Sequence, residues 1–192
     1  MDEWFERSPF VGFVPWILYW VVAGGPSTWQ YGAMCALLAA FILGVSMGRG
    51  RPKLLDVATM VFFFAVTVAG AVVGARDRDW MDTHAITLSS GALAVITLAS
   101  LFFVPFTEQY TRASAPRAAW QRPVFRRTNQ VLTAMWGAAF GLIAVLGLIG
   151  VHMPETAHWT HWVLPVVVIT GAVAMTQVYP QRVRERVRPA TG

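Results

Sequence analysis

Arg126-Arg127-Thr128-Asn129-Gln130-Val131-Leu132-Thr133-Ala134-Met135-Trp136-Gly137, running on in the same apolar vein to Val151, is the stretch that decides the fold. After Arg127 no Asp, Glu, Lys or Arg occurs until Glu155. A bilayer core about 30 Å thick needs roughly 20 mostly apolar helical residues to cross it, and 128–151 reaches that length. Working outward, the pattern recurs, with candidate spans at about 9–23, 28–48, 54–75, 85–106, 128–151 and 162–179. Inside hydrocarbon every backbone N–H and C=O needs an internal partner, which leaves helices or a closed barrel. Continuous apolar runs, without period-two alternation, select helices. The sequence therefore predicts an all-α membrane protein: one transmembrane domain over 1–192, built as a six-helix bundle.

The basic residues orient it. Of fifteen Lys and Arg, thirteen lie in alternate gaps: Arg7; Arg49, Arg51 and Lys53; Arg112, Arg117, Arg122, Arg126 and Arg127; Arg182, Arg184, Arg186 and Arg188. The remaining gaps hold only Arg76 and Arg78. Cytoplasmic loops carry the excess of Lys and Arg, so both termini are expected inside and the protein in a bacterial inner membrane. The net charge of +5 is read as topology and attraction to anionic headgroups, not as nucleic-acid binding. The first apolar stretch follows Asp2, Glu3 and Glu6, where a signal peptide would carry base, and is expected to be retained as a span. The single cysteine, Cys35, excludes an intramolecular disulfide.

Tryptophans at predicted span ends (Trp4, Trp29, Trp80, Trp159, Trp162) suit the headgroup belt, whereas Trp16, Trp20 and Trp136 lie deeper. Gly44/Gly48, Gly70/Gly74 and Gly137/Gly141 are spaced for close helix approach. The connection 107–127 contains Pro116 and Pro123, which argue against one continuous helix and for a segment lying on the membrane surface. Lys53–Thr59 and Arg127–Thr133 echo one another, each placing a polar residue three before a Thr.

Polar residues gather at the predicted cytoplasmic ends of spans three to six. Asp56 and Thr59 share one helix face, as do Gln130 and Thr133. A carboxylate about one turn inside a membrane is costly without a partner or water. The expected site comprises Asp56, Thr59, Glu108, Gln109, Tyr110, Arg127, Asn129 and Gln130, as a ligand pocket or gate. The plainer alternative is that Asp56 sits in a first helical turn, favoured by the helix dipole and paired with a nearby Arg.

Two segments of this cluster carry a resemblance. Pro52-Lys53-Leu54-Leu55-Asp56, with Thr59 and Phe62-Phe63 beyond, is one. Pro105-Phe106-Thr107-Glu108-Gln109-Tyr110-Thr111-Arg112 is the other, followed by Trp120, Pro123, Phe125, Thr128-Asn129, Thr133, Trp136-Gly137 and Phe140. Together they resemble the signatures of an uncharacterised family of small bacterial polytopic integral membrane proteins, over about 52–140. The resemblance implies a polytopic helical fold and no particular activity. It adds weight to the cytoplasmic cluster, where both signatures end.

On the other side lie all four histidines. His152, His158 and His161, with Glu155 between them, are a candidate Zn or Cu set, and Asp79, Asp82 and His84 are expected near by. No His-Glu-x-x-His motif is present, and solvated histidines beside belt tryptophans are the plainer reading. No His sits mid-span to bracket a haem, no Walker-type loop occurs, and Ser89-Ser90-Gly91 lacks a nucleophile-elbow context. The only charge within a span is Asp56, so a midplane proton relay has no residues to run on.

Three functions remain, in this order. The first is a small transporter, or the ligand-binding membrane subunit of one, for a neutral or amphipathic substrate. The second is a non-catalytic accessory or scaffold subunit, as a homo-oligomer or beside a partner membrane protein. The third is a lipid-modifying enzyme, with Asp56 or Glu108 as acid or base and Arg127 holding phosphate. A cavity bordered by Asp56 and Glu108 favours the first or third; a tightly packed bundle with a large apolar flank favours the second.

Overall fold

A computed structural model describes residues 11–24, 27–46, 53–115 and 117–187. The expectations placed on Trp4, Arg7, Pro9, Phe10, Gly48, Arg49, Arg51, Pro52, Pro116 and Arg188 lie outside the described residues. Within them the chain is helical and without strand. In chain order the elements are α1 (Val11–Val22), α2 (Trp29–Ser46), α3 (Leu54–Val72), α4 (Ala75–Thr83), α5 (Ala85–Phe102), α6 (Phe106–Ser114), α7 (Arg117–Trp120), α8 (Pro123–His152) and α9 (Leu164–Val187). A π-helical turn, Trp159–Val163, leads into α9. Four helical stretches are long and apolar enough to cross a membrane: Leu54–Val72, Ala85–Phe102, Pro123–His152 and Trp159–Val183. Val11–Val22 and Trp29–Val45 are apolar but shorter.

Several boundaries move for stated reasons. The stretch 85–106 stops at Phe102, because Pro105 supplies no N–H and restricts Val104 before it. The Ser100 hydroxyl accepts the Phe106 N–H at 3.0 Å across that break. Among the described residues of 107–127 are most of α6, the short α7 and the first turn of α8. Pro123 starts α8, where its missing N–H costs nothing, so this helix begins ahead of 128. The charged connection 76–84 is helical too, as α4.

The shortest apolar helix links the two halves of the bundle through one buried face, while Val14, Ile17 and Val21 stay exposed on the other. In α1, Trp16 is fully buried, its ring 4.9 Å from that of Phe62 and 4.8 Å from that of Phe63 on α3. One turn earlier Phe13 stacks on Trp136 of α8 at 5.4 Å and meets Phe106 edge-on at 5.9 Å. Thus α1 joins the α2–α3 pair to the α5–α8–α9 group. Each deep indole N–H finds a hydroxyl on another helix: Trp16 donates to Thr59 at 2.8 Å, Trp20 to Ser89 at 2.9 Å and Trp136 to Thr176 at 3.0 Å. A buried indole needs such an acceptor.

The most extensive contact joins antiparallel α5 and α8. Small residues make it close: Gly137 faces Leu98, Gly141 faces Ala94, Ala144 faces Gly91 and Gly147 faces Thr87. The expected pair Gly137/Gly141 is part of this seam. Gly70 lies against Gln30 and Trp29, but nothing approaches Gly74 within 4 Å. Trp29 is buried in that contact and not placed in an exposed belt. Outward, Tyr31, Met34, Leu38, Phe41 and Val45 ridge α2, and Val57, Val61, Phe64, Val68 and Val72 ridge α3, all exposed. Large apolar ridges at helical spacing on the outside suit a hydrocarbon solvent and not water.

Candidate functional site

The short helix α6 organises the basic end. Helix α3 begins at Leu54 with no side-chain cap from Lys53. The cap comes from α6 instead: Gln109 Oε1 accepts the Leu54 N–H at 2.8 Å, while its Nε2 donates to Val104 O at 3.0 Å. An orphan N–H at the helix start is thereby satisfied from another element. Beside it the Tyr110 hydroxyl donates to Asp56 Oδ1 at 3.0 Å. The Lys53 ammonium lies 3.9 Å above the Tyr110 ring, an electrostatic attraction to the π face. Gly12 of α1 clears the space, since a Cβ there would collide with the Tyr110 hydroxyl. Burial first, then the charge and hydrogen bond of Asp56, push the Tyr110 pKa well up. Burial pulls that of Lys53 down, partly offset by Asp56.

The opposite face of α6 grips α8. Thr107 donates to Asn129 O at 2.9 Å and lies 2.8 Å from the Thr133 hydroxyl. With its one proton so used, Thr107 must accept from Thr133. Thr111 lies 3.0 Å from Asn129 Oδ1, and Asn129 Nδ2 donates to Phe125 O at 2.9 Å. Glu108, buried, pairs with Arg112 one turn on, through Nε at 3.0 Å. The Arg112 guanidinium lies 5.3 Å from the Trp120 ring centre.

Asp56, Gln109 and Tyr110 thus come together, with Asn129 tied to the same helix from behind. Thr59 lies one turn deeper, buried, with its oxygen taken by Trp16. Glu108 turns to Arg112 and not to Asp56. Arg127 is exposed and Gln130 half-buried, and neither bonds to the cluster among the described residues. The sequence reading named Trp16 and Lys53 but did not include them, or Gly12, in the expected site. The signal available for Trp16 was the indole N–H itself, a donor too deep to leave without an acceptor.

A cavity of about 20 Å³ lies beneath Asp56, lined by Gly12, Leu43, Thr59 and Tyr110 among others. That is room for one water, against the hundreds of Å³ typical of pockets for organic ligands. At the other end, no group of three or more His, Cys, Asp and Glu that could hold a metal forms among the described residues. His152 Nδ1 lies 2.9 Å from Leu148 O, His158 meets Trp159 edge-on, and His161 Nε2 lies 3.2 Å from Gly147 O. The expected Zn or Cu set of His152, His158 and His161 is therefore not assembled: each ring is turned to a neighbour of its own.

Tyr110 carries a testable pH dependence. Its folded pKa is raised above the ordinary 10.0. The stability it contributes is therefore complete below about pH 10 and is lost as pH climbs from there toward the folded value. Wild type minus Tyr110→Phe isolates it, because Lys53, which acts in the opposite sense, is common to both. Denaturation midpoints in detergent are expected to favour wild type below pH 10, with the difference shrinking above it. A difference that grows with pH would refute the buried hydroxyl.

The fold and this end together define an all-helical protein with four helices long and apolar enough to cross a membrane. No family model, no curated protein and no solved structure matches the chain.

Proposed function

We propose that this is a multi-pass inner-membrane protein in which all six apolar helices cross the bilayer, both termini cytoplasmic, and that it serves as a non-catalytic accessory or scaffold subunit. The short α1, twelve described residues and about 18 Å long, buries one face against longer neighbours and exposes Val14, Ile17 and Val21 on the other. A span shorter than the hydrocarbon is accommodated at modest cost by local thinning of the bilayer. The basic ends of α3, α6 and α8 then face the anionic leaflet.

One observation carries the functional part. Asp56, Glu108, Gln109, Tyr110 and Asn129 are spent on one another, on Arg112 and Thr111 or on backbone, and the space beside Asp56 has room for a single water. Ligand capture and interfacial lipid chemistry both need a larger cavity at Asp56 and Glu108. What the bundle offers instead is apolar flank, on α2 and α3 above all. This reverses the order in which the sequence ranks transport and scaffolding.

The purified full chain should therefore show no thermal shift with a panel of small neutral and amphipathic solutes. It should also run as a complex larger than a monomer when extracted in mild detergent. A solute-dependent shift that vanishes in Asp56→Asn or Glu108→Gln would overturn the scaffold reading. Orientation is tested separately, in a Cys35→Ser background carrying Ala118→Cys or Glu155→Cys. A membrane-impermeant maleimide added to intact spheroplasts should label position 155 and leave 118 unlabelled. The reverse result would invert the topology.

A further inference from the structure

A second cavity, larger than the one at Asp56, lies at the end of the bundle remote from Lys53. It measures about 110 Å³ and is walled by Trp20 of α1, Ile86 of α5, Ile143 of α8, and His161, Trp162 and Val166 at the start of the last helix. Trp162 is 49% and Val166 61% exposed on the outer surface, so the space opens sideways, between helices.

The local structure is arranged to keep this space. Pro165 has no N–H for the carbonyl of His161 four residues back. Around it the ladder changes register, and the Leu164 N–H bonds to Trp159 O, five back. Such π turns concentrate at functional sites, and this one swings His161 inward over α8. Gly150 makes way: a Cβ there would lie 2.5 Å from His161 Nε2. The His161 ring, the one hydrophilic side chain in the wall besides the two indoles, has its Nε2 within 3.2 Å of Gly147 O.

A water needs two to four polar partners, and an apolar space of this order stays dry or takes hydrocarbon; a cavity of about 150 Å³ holds benzene. Leaving it empty forfeits dispersion contacts on every wall. In a bilayer the neighbouring hydrocarbon is always at hand, and the open side faces it. We propose that this cavity is a lateral site for a segment of phospholipid acyl chain, entering between α1 and α9 and packing on Trp20, His161 and Trp162. The proposal rests on the membrane-spanning reading above, and not on the scaffold role.

The test reconstitutes the full chain in phosphatidylcholine vesicles containing a trace of phosphatidylcholine with a mid-chain diazirine. After irradiation, adducts are mapped by mass spectrometry. Labelling of residues 162–169 is expected to exceed, several-fold, that of the exposed α2 ridge at Leu38 and Phe41. Two independent filling variants, Val166→Trp and Ile86→Phe, should bring it down to the α2 level while α2 labelling persists, which also reports that the bundle is folded. Equal labelling at both places, or labelling of 162–169 that survives both variants, overturns the lipid site alone. Absence of label from α2 as well as from 162–169 overturns the membrane-spanning reading with it.

Discussion

Trp16→Ala is expected to lower the stability of the bundle by about 3–5 kcal/mol, the usual loss when a buried Trp or Phe is cut to Ala. Trp16 is fully buried between Phe62 and Phe63 and binds Thr59 through its indole N–H. The truncation removes the aromatic contacts by which α1 holds α3 and leaves the Thr59 oxygen without its donor. Trp16→Phe separates the two effects. It keeps a ring in the stack and deletes only the N–H, so it should cost about 1 kcal/mol, the scale of one interhelical hydrogen bond. Unfolding midpoints in detergent, titrated with a denaturing detergent, give both numbers. If Trp16→Ala costs less than Trp16→Phe is expected to, Trp16 is not what holds α1 to α3.

The second large effect is expected at Gly147. A Cβ there would lie 2.7 Å from the Thr87 hydroxyl and 3.3 Å from the Thr87 backbone nitrogen. The hydroxyl can rotate away; the backbone behind it cannot. Gly147→Leu should therefore wedge α5 from α8 and cost about 3 kcal/mol, the upper part of the range for overpacking. Gly171 supplies a control of opposite sign. It lies inside α9 with nothing within 4 Å of its Cβ position. Gly171→Leu should be neutral or stabilise by up to about 1 kcal/mol through helix propensity. Similar losses at the two positions would mean that the α5–α8 seam is not what Gly147 serves.

The helices were legible because their signals are local. Residues 128–151 are apolar for long enough to cross a membrane, and in the sequence Pro116 and Pro123 punctuate the approach. The echo between 53–59 and 127–133 was legible as well, and its burial pattern agrees: Leu55 and Asn129 are buried, as are Thr59 and Thr133. Yet helical spacing did not distinguish Asn129 from Gln130. Adjacent positions are about 100° apart on the helix, and only the placement of Thr107 and Thr111 on α6 shows which of the two faces inward.

Asp56, Gln109, Tyr110 and Asn129 do come together at one end of the helices, but which of them pairs with which was not readable. Tyr110 and Asp56 are separated by 54 residues, and no periodicity relates them. Glu108 illustrates the point further. As a carboxylate expected beside Asp56 it suggested a shared pocket, but on α6 it lies two positions, about 160° around the helix, from Tyr110, and pairs with Arg112. The histidines failed to converge for a similar reason: the π turn before α9 rotates His161 into the bundle while His152 and His158 stay outside.

By itself, the sequence determined that this protein is helical, that its exterior is apolar, and which ends of its helices carry base. Length, backbone hydrogen bonding and charge asymmetry act segment by segment, so each can be read without knowing what packs beside it. Only the tertiary structure decided that the buried face of the shortest apolar helix joins the two halves of the bundle, that the space at the polar end has room for a single water, and that the larger of the two spaces lies at the opposite end. Those are properties of pairs of surfaces. They depend on a glycine on one helix meeting a hydroxyl, ring or backbone on another, and that meeting is set by packing across the bundle and not by any one stretch of chain.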